Sequence, residues 1–458
     1  MGTGRTTIKR PSGMVGFIIV WIGQIISVLA SGMSGFGLSL WMFQQTKSAL
    51  AMGLMQVSYI LPFLLLSPIA GVMVDRYNRK LMMMVSDFMA VTATFAILIL
   101  QAMGHLQFWH LYIANVMYGL GNTFQWPAYS AAISTMVKKE QYGKANGLMS
   151  LMEAGPGVLA PILAGAILAT SKVHGLTIIL LVDVITFFFA LGALLIVHIP
   201  QPEKTVEGQA EKGSLLKEAA YGFKYIFKRP SLLGLQLIFF IGNLFAGIGY
   251  TVFAPMLLLR TNNNSVIFGT VNSVTAIGGV AGGIIMSAWG GFKKRTHGVL
   301  AGWIFAGIFT ALFGFGTGLA FWIPFTIAQA LMGPLINTSN QSIWQAKVAP
   351  DIQGRVFSAR RLIAWFAQPI APLIAGLMAD RWLEPSMTSG TTVLSSLFKS
   401  WVGNGPGSGM ALLLILSGLG SALIGLAGYF FPVIRNAESI LPDHDTLTKV
   451  EGVPLVVD

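Results

Sequence analysis

The sequence predicts an all-α membrane protein of twelve spanning helices, arranged as two six-helix halves related by pseudo-two-fold symmetry. Hydrophobic residues make up 54% of the 458 residues and charged residues only 10%, which leaves too few charges to solvate several soluble domains. Apolar runs of roughly 18 or more residues recur along the chain, as membrane-spanning helices require. One motif also occurs twice at a constant spacing, which indicates a duplicated bundle.

Short polar turns separate the apolar runs and define the individual spans. The predicted spans cover residues 14–44, 48–74, 81–102, 108–137, 143–170, 176–198, 231–259, 266–290, 296–317, 320–346, 356–382 and 410–433. The predicted domains are an N-terminal six-helix half over 1–198, a cytoplasmic linker with an amphipathic helix over 199–230, a C-terminal six-helix half over 231–434 and a cytoplasmic tail over 435–458. Each span is long enough for the bilayer core, which a helix of about 20 residues crosses.

The basic residues lie mainly on one side of the predicted bundle. Twelve spans put both termini on the same side, and that side carries 24 of the 29 lysines and arginines. The positive-inside rule therefore predicts that both termini are cytoplasmic. The net charge of +12 then reflects topology, and no nucleic-acid partner is expected. Residues 1–13 lead into an apolar run too long for a signal peptide, so we expect a retained first helix.

A small-residue motif relates the fifth span to the eleventh. Six positions of the motif recur with a single offset of 211 residues. The two copies are Gly143-Lys144 with Ala160-Pro161-x-x-Ala164-Gly165, and Gly354-Arg355 with Ala371-Pro372-x-x-Ala375-Gly376. Two halves in the same orientation predict a parallel repeat about an axis along the membrane normal.

The polar segments outside the spans have distinct predicted roles. Residues 203–213 are expected to form a solvated linker, and residues 214–228 an amphipathic helix that lies on the cytoplasmic leaflet and tethers the halves. Its predicted apolar face consists of Leu216, Ala219, Phe223, Ile226 and Phe227. Residues 383–409 form the one long outer loop, and the tail is expected to be mobile.

Several classes of activity lack the residues that they require. There is no glycine-rich phosphate loop followed by Lys and Ser or Thr, so we expect no ATP hydrolysis. The chain has no cysteine and six scattered histidines, which excludes a disulfide framework and gives no paired spacing for a metal. We therefore expect no enzyme activity, cofactor or metal, and transport against a gradient would need an ion or substrate gradient.

A charged hairpin joins the second span to the third. Its sequence is Gly71-x-x-x-Asp75-Arg76-x-x-Arg79-Lys80, and Gly290-Gly291-Phe292-Lys293-Lys294-Arg295 is a degenerate copy after the eighth span. Gly71 permits close approach of a helix, and Asp75 can cap a helix N-terminus, where the dipole is positive. Arg76, Arg79 and Lys80 can hold acidic or carbonyl partners across a gate. Anchoring by positive charge alone would not explain Gly71 or Asp75.

Three acidic residues fall well inside predicted spans. An ionised carboxylate in hydrocarbon costs about 2.5–3.5 kcal/mol on insertion scales, so such residues usually face a partner or a cavity. Glu153, near mid-membrane, is the first candidate for a proton site, and Asp183 is the second. For Asp183, a structural hydrogen bond to a neighbouring helix is an open alternative. Asp87 lies about two turns from the hairpin, so we assign it to the gate, paired with Arg76 or Lys144.

Polar stripes mark a predicted substrate pathway through four spans. Residues three and four positions apart share one helix face. The stripes are Gln24, Ser27 and Ser31 in the first span; Asn115, Tyr118, Asn122, Gln125 and Tyr129 in the fourth; Gln236, Asn243 and Tyr250 in the seventh; and Gln329, Asn337, Asn340 and Trp344 in the tenth, with Trp126 and Trp365 interleaved. One stripe alone could be helix–helix hydrogen bonding, but four favour a cavity. Because no Arg or Lys is expected at mid-membrane, the predicted substrate is bulky, largely apolar, and neutral or cationic.

Three stretches of the sequence together resemble one transporter family. They are the charged hairpin, Trp21-x-Gly23-Gln24 and Gln353-Gly354-Arg355-Val356-Phe357-Ser358. They are similar to sequences of the major facilitator superfamily, in particular its bacterial macrolide-efflux and enterobactin-exporter branch, and the resemblance covers the whole chain. It implies the major facilitator fold, a hairpin that latches the inner side closed near residues 356–361, and a cavity lined by the four striped spans.

The resemblance also implies a function and a setting. It implies proton-coupled antiport with alternating access in the bacterial cytoplasmic (inner) membrane, and export of a drug, macrolide or siderophore. The expected partners are such a hydrophobic or amphipathic small molecule, protons and membrane lipids, and the protein is expected to be a monomer. Two features depart from drug antiporters: no Arg occurs between residues 108 and 137, and the fifth-span antiporter pattern around Gly147 and Pro156 is only partly kept. That pattern therefore indicates close helix packing more than antiport.

Two other functions remain open from the sequence. One is import or facilitated diffusion of a nutrient or metabolite on the same fold. The other is a non-transporting sensor or lipid-interacting scaffold, against which the polar stripes argue.

Overall fold

The protein is helical throughout the part of the chain that the computed structural model describes, which comprises residues 10–46, 49–171, 174–202, 214–262 and 264–444. The first six helices are α1 (Gly13–Thr46), α2 (Ala49–Arg76), α3 (Arg79–Ala102), α4 (Phe108–Met136), α5 (Tyr142–Thr170) and α6 (Gly175–Ile196). After a short helix, α7 (Leu215–Phe227), come α8 (Pro230–Arg260), α9 (Ser265–Trp289), α10 (Arg295–Phe315) and α11 (Leu319–Lys347). The remainder consists of α12 (Gln353–Trp365), α13 (Ala367–Met378), α14 (Glu384–Thr388), α15 (Val393–Val402), α16 (Ser408–Phe430), α17 (Pro432–Arg435) and α18 (Ala437–Ile440).

Eleven helical segments of the described chain have the length and composition needed to cross a membrane. The remaining long helix is α4, which has 29 residues and is more polar because it carries Asn115, Asn122 and Gln125. It nevertheless packs between α2 and α3 as a full member of the bundle. The predicted twelve-helix fold is confirmed, and α4 is one of the spans that were expected to line the cavity.

The eleventh span is interrupted, although the sequence analysis treats it as one helix. Helix α12 ends at Trp365, and α13 starts at Ala367. Pro369 explains the break, because it has no N–H to donate to the carbonyl of Trp365 and its ring clashes there. Beyond α13, a π-helical turn over Ala379–Leu383 continues into α14. The predicted outer loop over 383–409 therefore contains two short helices, α14 and α15.

The helices form two bundles with equivalent internal contacts. Helix α1 packs on α5 and α6, and α8 packs on α13 and α16. A Cβ added at Gly32 of α1 would lie 3.0 Å from the Cβ of Ala160, and one added at Gly247 of α8 would lie 2.7 Å from the Cβ of Ala371. Ala160 and Ala371 are equivalent positions of the duplicated motif. The motif therefore serves close packing inside each half, as the sequence analysis expects.

Helix α7 packs against the ends of α2 and α12. Ser214 caps its N-terminus by accepting a hydrogen bond from the Lys217 N–H, and Gly222 lies against the backbone of α12. The predicted apolar face is only partly buried, because Leu216 and Phe227 are exposed while Tyr221 and Tyr225 are buried. Tyr221 and Tyr225 pack in one cluster with Val356 and Phe357 of α12, so the helix turns its tyrosine face toward the protein. The predicted linker, 203–213, lies outside the described residues.

Candidate functional site

A cavity of about 1120 Å³ lies between the two halves, slightly larger than the roughly 300–1,000 Å³ of ordinary small-molecule sites. Fourteen of the seventeen predicted pathway residues line it. They are Gln24, Ser27, Ser31, Asn115, Tyr118, Asn122, Gln125, Trp126, Tyr129, Gln236, Asn243, Asn337, Asn340 and Trp365. All four striped spans therefore contribute to one polar cavity.

Three predicted cavity residues lie elsewhere. Trp344 is fully buried, and its indole N–H donates to Oδ1 of Asn340 at 3.0 Å. Tyr250 has an exposed fraction of 83% and, like Gln329, does not belong to the cavity wall. A shared helix face continues beyond the cavity in both directions along the helix. Periodicity therefore predicts the face of each span and not the depth at which the cavity ends.

All three acids within the spans line the cavity. Glu153 is exposed there and accepts a hydrogen bond from the indole N–H of Trp126 at 3.0 Å. Asp183 is buried and accepts from the hydroxyls of Ser31 at 2.7 Å and Thr94 at 3.0 Å. Asp183 thus occupies the cavity wall and also joins α6 to α1 and α3, so both of its predicted roles fit the geometry.

Asp87 belongs to the cavity and not to the gate. Its carboxylate accepts hydrogen bonds from Nε2 of Gln24 at 2.8 Å and from Nε2 of Gln125 at 2.9 Å. The expected pairing with Arg76 or Lys144 is therefore wrong. Two turns into α3, the side chain points toward α1 and α4, where the amides provide donors. Distance along the helix from the hairpin gives the depth of Asp87 but not this direction.

Two arginines of α12 also line the cavity, contrary to the expectation that no cation lies there. Arg360 donates to the side chain of Gln341. The guanidinium of Arg361 lies 4.6 Å from the ring centroid of Trp126 and 4.7 Å from that of Trp365. Because α12 starts at Gln353, the rise of about 1.5 Å per residue carries these side chains roughly 10 Å or more into the bundle. The predicted span over 356–382 contains both arginines, but neither was expected to line the cavity.

The charged hairpin closes one end of the cavity against the start of α12. Oδ1 of Asp75 accepts from the Gly354 N–H at 2.7 Å, and Oδ2 accepts from the Arg355 N–H at 2.9 Å. The carboxylate therefore caps α12 at the positive end of its dipole. Gly71 and Gly354 are in such close contact that a Cβ on either residue would collide with the carbonyl of the other. We call this end, which also holds α7, the basic end.

Helix α7 adds an acid that the sequence analysis did not single out. Glu218 is 1% exposed and forms an ion pair with Arg76 at 2.7 Å. The other Glu218 oxygen lies 3.6 Å from Nη1 of Arg355. The linker helix therefore bridges the hairpin of the first half and the start of α12 in the second. The signal in the sequence was an acid among the lysines of an amphipathic helix, but its partners lie far away along the chain.

The basic end is sealed in the same way by both halves. Arg79 donates to the carbonyls of Ala131 (2.8 Å) and Pro350. Arg295 donates to the carbonyls of Ser342 at 3.1 Å and Lys139 at 3.0 Å. Ser342 and Pro350 follow Ala131 and Lys139 by 211 positions, the offset of the repeat. Each arginine therefore joins its own half to the loop before α5 or α12 in the opposite half.

Two further contacts define this closed end. Gln341 and Ser130 are also 211 positions apart, and the amide of Gln341 donates to the hydroxyl of Ser130, so the pseudo-two-fold axis passes between them. Lys80, in contrast, donates to the carbonyls of Leu195 and Val197, both at 3.0 Å. Lys80 thus stabilises the end of α6 inside the first half and does not cross the gate.

The halves separate with distance from the basic end. Where α5 meets α9, Gly143 lies against the carbonyl of Gly290. Further along, a Cβ added at Gly283 would lie 3.2 Å from the backbone of Leu151. Further still, a Cβ added at Gly279 would lie 3.8 Å from the Cβ of Ala154. The two helices diverge, and the cavity occupies the space between the diverging halves.

The tail was expected to be mobile, but residues 435–444 pack on the basic end. Asp443 forms ion pairs with Lys347 at 2.8 Å and Lys139 at 3.1 Å, which belong to different halves. Partial burial acts to raise the pKa of Asp443, but the hydrogen bonds from Lys347 and Lys139 hold this pKa below its ordinary value of 3.8. Glu438 accepts from the N–H and hydroxyl of Thr296, both at 2.8 Å, at the start of α10. Residues 445–458 lie outside the described part.

Similar proteins include several efflux transporters. The chain is 25% identical over 371 residues to Macrolide efflux protein A of Streptococcus pyogenes, covering 80% of this chain and 89% of that protein. It is 25% identical to Multidrug efflux pump Tap of Mycolicibacterium fortuitum, over 74% of this chain and 82% of that protein. It is 20% identical to Enterobactin exporter EntS of Citrobacter koseri, over 72% and 81% respectively.

Solved structures share the fold at low sequence identity. An outward-facing bacterial homologue of the iron transporter ferroportin matches with a TM-score of 0.66 at 14% identity, over 90% of this chain and 98% of that one. A variant of the E. coli fucose:proton symporter FucP matches with a TM-score of 0.64 at 12% identity, over 91% and 99%. Residues 20–372 match the Major Facilitator Superfamily. This integral membrane protein therefore belongs to the Major Facilitator Superfamily of transporters, which are not enzymes.

Proposed function

We propose that the protein is a secondary active transporter that exports hydrophobic or amphipathic compounds by proton antiport across the bacterial cytoplasmic membrane. One observation carries the proposal: a cavity of about 1120 Å³ holds three carboxylates, Asp87, Glu153 and Asp183, and closes at one end through contacts between the two halves. The efflux names of the curated relatives support the direction of transport.

The orientation follows from the distribution of charge. Most lysines and arginines lie at the basic end, so the positive-inside rule makes this end, with both termini, cytoplasmic. The structure then represents the state that is closed to the cytoplasm. Alternating access requires a second state in which the contacts of Asp75, Arg79 and Arg295 break and the diverging ends of α5 and α9 approach each other.

Glu153 is the primary proton site in this proposal. It is exposed to the cavity, so water can deliver a proton. It also lies in α5, which contacts α9 of the other half, so a change in its charge acts at the interface that must move. Asp183 is the second site, since hydroxyl groups can bond to it in either protonation state as donors or acceptors.

Transport of a compound panel into vesicles tests the proposal. Purified protein is reconstituted into proteoliposomes, and the movement of macrolides, dyes and siderophores is followed with an imposed proton gradient and with an uncoupler. We expect gradient-dependent movement of at least one compound opposite to the proton flow. Movement in the same direction as the protons would identify an importer, and absence of any flux would favour the non-transporting alternative.

A further inference from the structure

We infer that the cavity selects compounds that combine an apolar or aromatic body with an anionic group, and that Arg361 recognises this group. The inference rests on the proposed function, because it assigns a substrate class to the same cavity. It replaces the neutral or cationic substrate that the sequence analysis expects.

Arg361 has no hydrogen-bond acceptor among the residues that the structure describes. Its guanidinium is surrounded instead by three rings, with centroids at 4.6 Å for Trp126, 4.7 Å for Trp365 and 4.8 Å for Phe63. One of its terminal nitrogens, Nη1, is buried and unpartnered. A buried charged donor without an acceptor is unfavourable, so an arriving acceptor is bound strongly.

The guanidinium suits one kind of ligand. It is planar and presents its N–H groups as a fork that matches a carboxylate or phosphate with two parallel hydrogen bonds. Cation–π contacts with the three rings hold the guanidinium in place without using its N–H groups in hydrogen bonds. The same rings offer an apolar surface to the body of the ligand. A substrate that is both apolar and anionic uses both parts of this site.

The neighbouring Arg360 lines the same cavity but makes different contacts from Arg361. Arg360 donates to Gln341 and stacks on Trp344 and Phe357 at 5.3 Å each. It is 7% exposed. Nη1 of Arg360 is buried and unpartnered, as Nη1 of Arg361 is. Arg360 differs because its other terminal nitrogen donates to Gln341, whereas the side-chain contacts of Arg361 are with rings.

Trp126 links Arg361 to the proposed proton site. Its indole N–H donates to Glu153 at 3.0 Å while its ring packs against Arg361. Glu153 and Arg361 line the same cavity, and Trp126 contacts both. A negative Glu153 reduces the attraction of Arg361 for an anion, and a neutral side chain at this position removes that opposition. Glu153 therefore tunes the affinity of the anion site.

Two probes of nearly identical shape and different charge test the inference. The probes are 1-pyrenebutyrate and its uncharged methyl ester, and their dissociation constants are measured by fluorescence with the purified full-length protein in nanodiscs. We expect the wild type to bind the carboxylate about tenfold more tightly than the ester, as one charge-assisted pair of hydrogen bonds provides. Equal affinities for the two probes would overturn the inference without the need for any variant.

Variants then assign the preference to Arg361. Arg361→Gln should abolish the preference for the carboxylate while leaving the ester within about twofold, and Arg361→Lys should restore part of it. Glu153→Gln should tighten carboxylate binding severalfold. Arg381→Gln, at an exposed arginine of the π-helical turn, is the matched control and should change neither constant. Equal weakening of both probes by Arg361→Gln would show a purely structural role and overturn the inference.

Failure of this inference can be distinguished from failure of the proposed function. Gradient-driven export of an uncharged compound, with no preference for the carboxylate probe, would reject the anion site and leave the transporter proposal standing. Selective carboxylate binding without proton-driven flux of any compound would support the anion site and reject the proposed transport function.

Discussion

Arg79 and Arg295 occupy equivalent positions in the two halves, and each donates to the backbone of both halves. A mutation at either residue therefore removes one of two matched links across the closed basic end. The charged hairpin and its degenerate copy therefore make matched contacts at the gate, although their sequences are only partly alike.

Arg79→Ala or Arg295→Ala should open the basic end. Hydrogen bonds from a charged donor contribute about 1.5–3 kcal/mol each, so loss of one arginine should shift the equilibrium toward the open state by about tenfold or more. Spin labels at Tyr77→Cys and Phe292→Cys, both exposed positions, report the distance between the halves. The natural chain has no cysteine, so only these two positions are labelled. Lys80→Ala is the control, because its bonds stay in one half; an equal change with Lys80→Ala would contradict this account.

Asp75→Ala should weaken the same gate through a different contact. The substitution removes the carboxylate that caps α12 at Gly354 and Arg355, and a lost cap costs about 0.5–2 kcal/mol. We expect a longer distance between the spin labels and slower turnover in proteoliposomes, with Asp75→Asn intermediate because it keeps one acceptor oxygen. Wild-type turnover and an unchanged distance in Asp75→Ala would reduce the hairpin to a membrane anchor.

Gly71→Ala should prevent closure by steric means. The added Cβ would collide with the carbonyl of Gly354, and backbone on both sides cannot yield as a flexible side chain can. Transport should fall to background while the protein remains folded. Gly192→Ala is the matched control, since a Cβ there meets nothing within 4 Å; the idea fails if the two variants transport equally well.

Asp443→Asn should lower the melting temperature slightly by weakening the ion pairs with Lys139 and Lys347. Asp443 is about one-third exposed to solvent, so we expect these ion pairs to contribute about 1 kcal/mol after solvent screening. Because the pKa of Asp443 in the folded protein lies below its ordinary value of 3.8, this stabilisation is complete above that ordinary value and is lost as the pH falls through the folded-state pKa. The difference in melting temperature should therefore be the same at about pH 6 and about pH 8, far above the titration of a carboxyl group. A difference that grows between these two pH values would contradict the assignment.

Sequence patterns predicted the cavity well because few polar residues occur in the spans. Asn115, Asn122 and Gln125 stand out against an apolar background, and burial of an amide in lipid without a partner is too costly to occur by accident. The same reasoning predicted that Glu153 and Asp183 face a partner or a cavity, and both line the cavity. In a membrane protein, the few polar residues within the spans therefore allow the polar interior to be predicted from the sequence.

Other features depend on distances that the sequence does not provide. Arg361 was missed because its depth depends on where α12 starts: the helix begins at Gln353, three residues before the predicted start of the span at 356, which carries Arg361 further into the bundle. Asp87 was misplaced because its depth in α3 does not give its direction around the helix. Glu218 was overlooked because its partners, Arg76 and Arg355, lie far from it along the chain and contact it only in the folded protein.

Proton-driven flux through the Glu153→Gln variant tests whether Glu153 carries the coupled proton. Proteoliposomes with a fixed proton gradient are loaded with a compound that the wild type transports, and Glu140→Gln, an exposed acid in the turn before α5, is the matched control. We expect Glu153→Gln to abolish the gradient-dependent flux while the protein stays folded in the membrane, and Glu140→Gln to retain it. Undiminished gradient-dependent flux through Glu153→Gln would show that Glu153 is not the proton site.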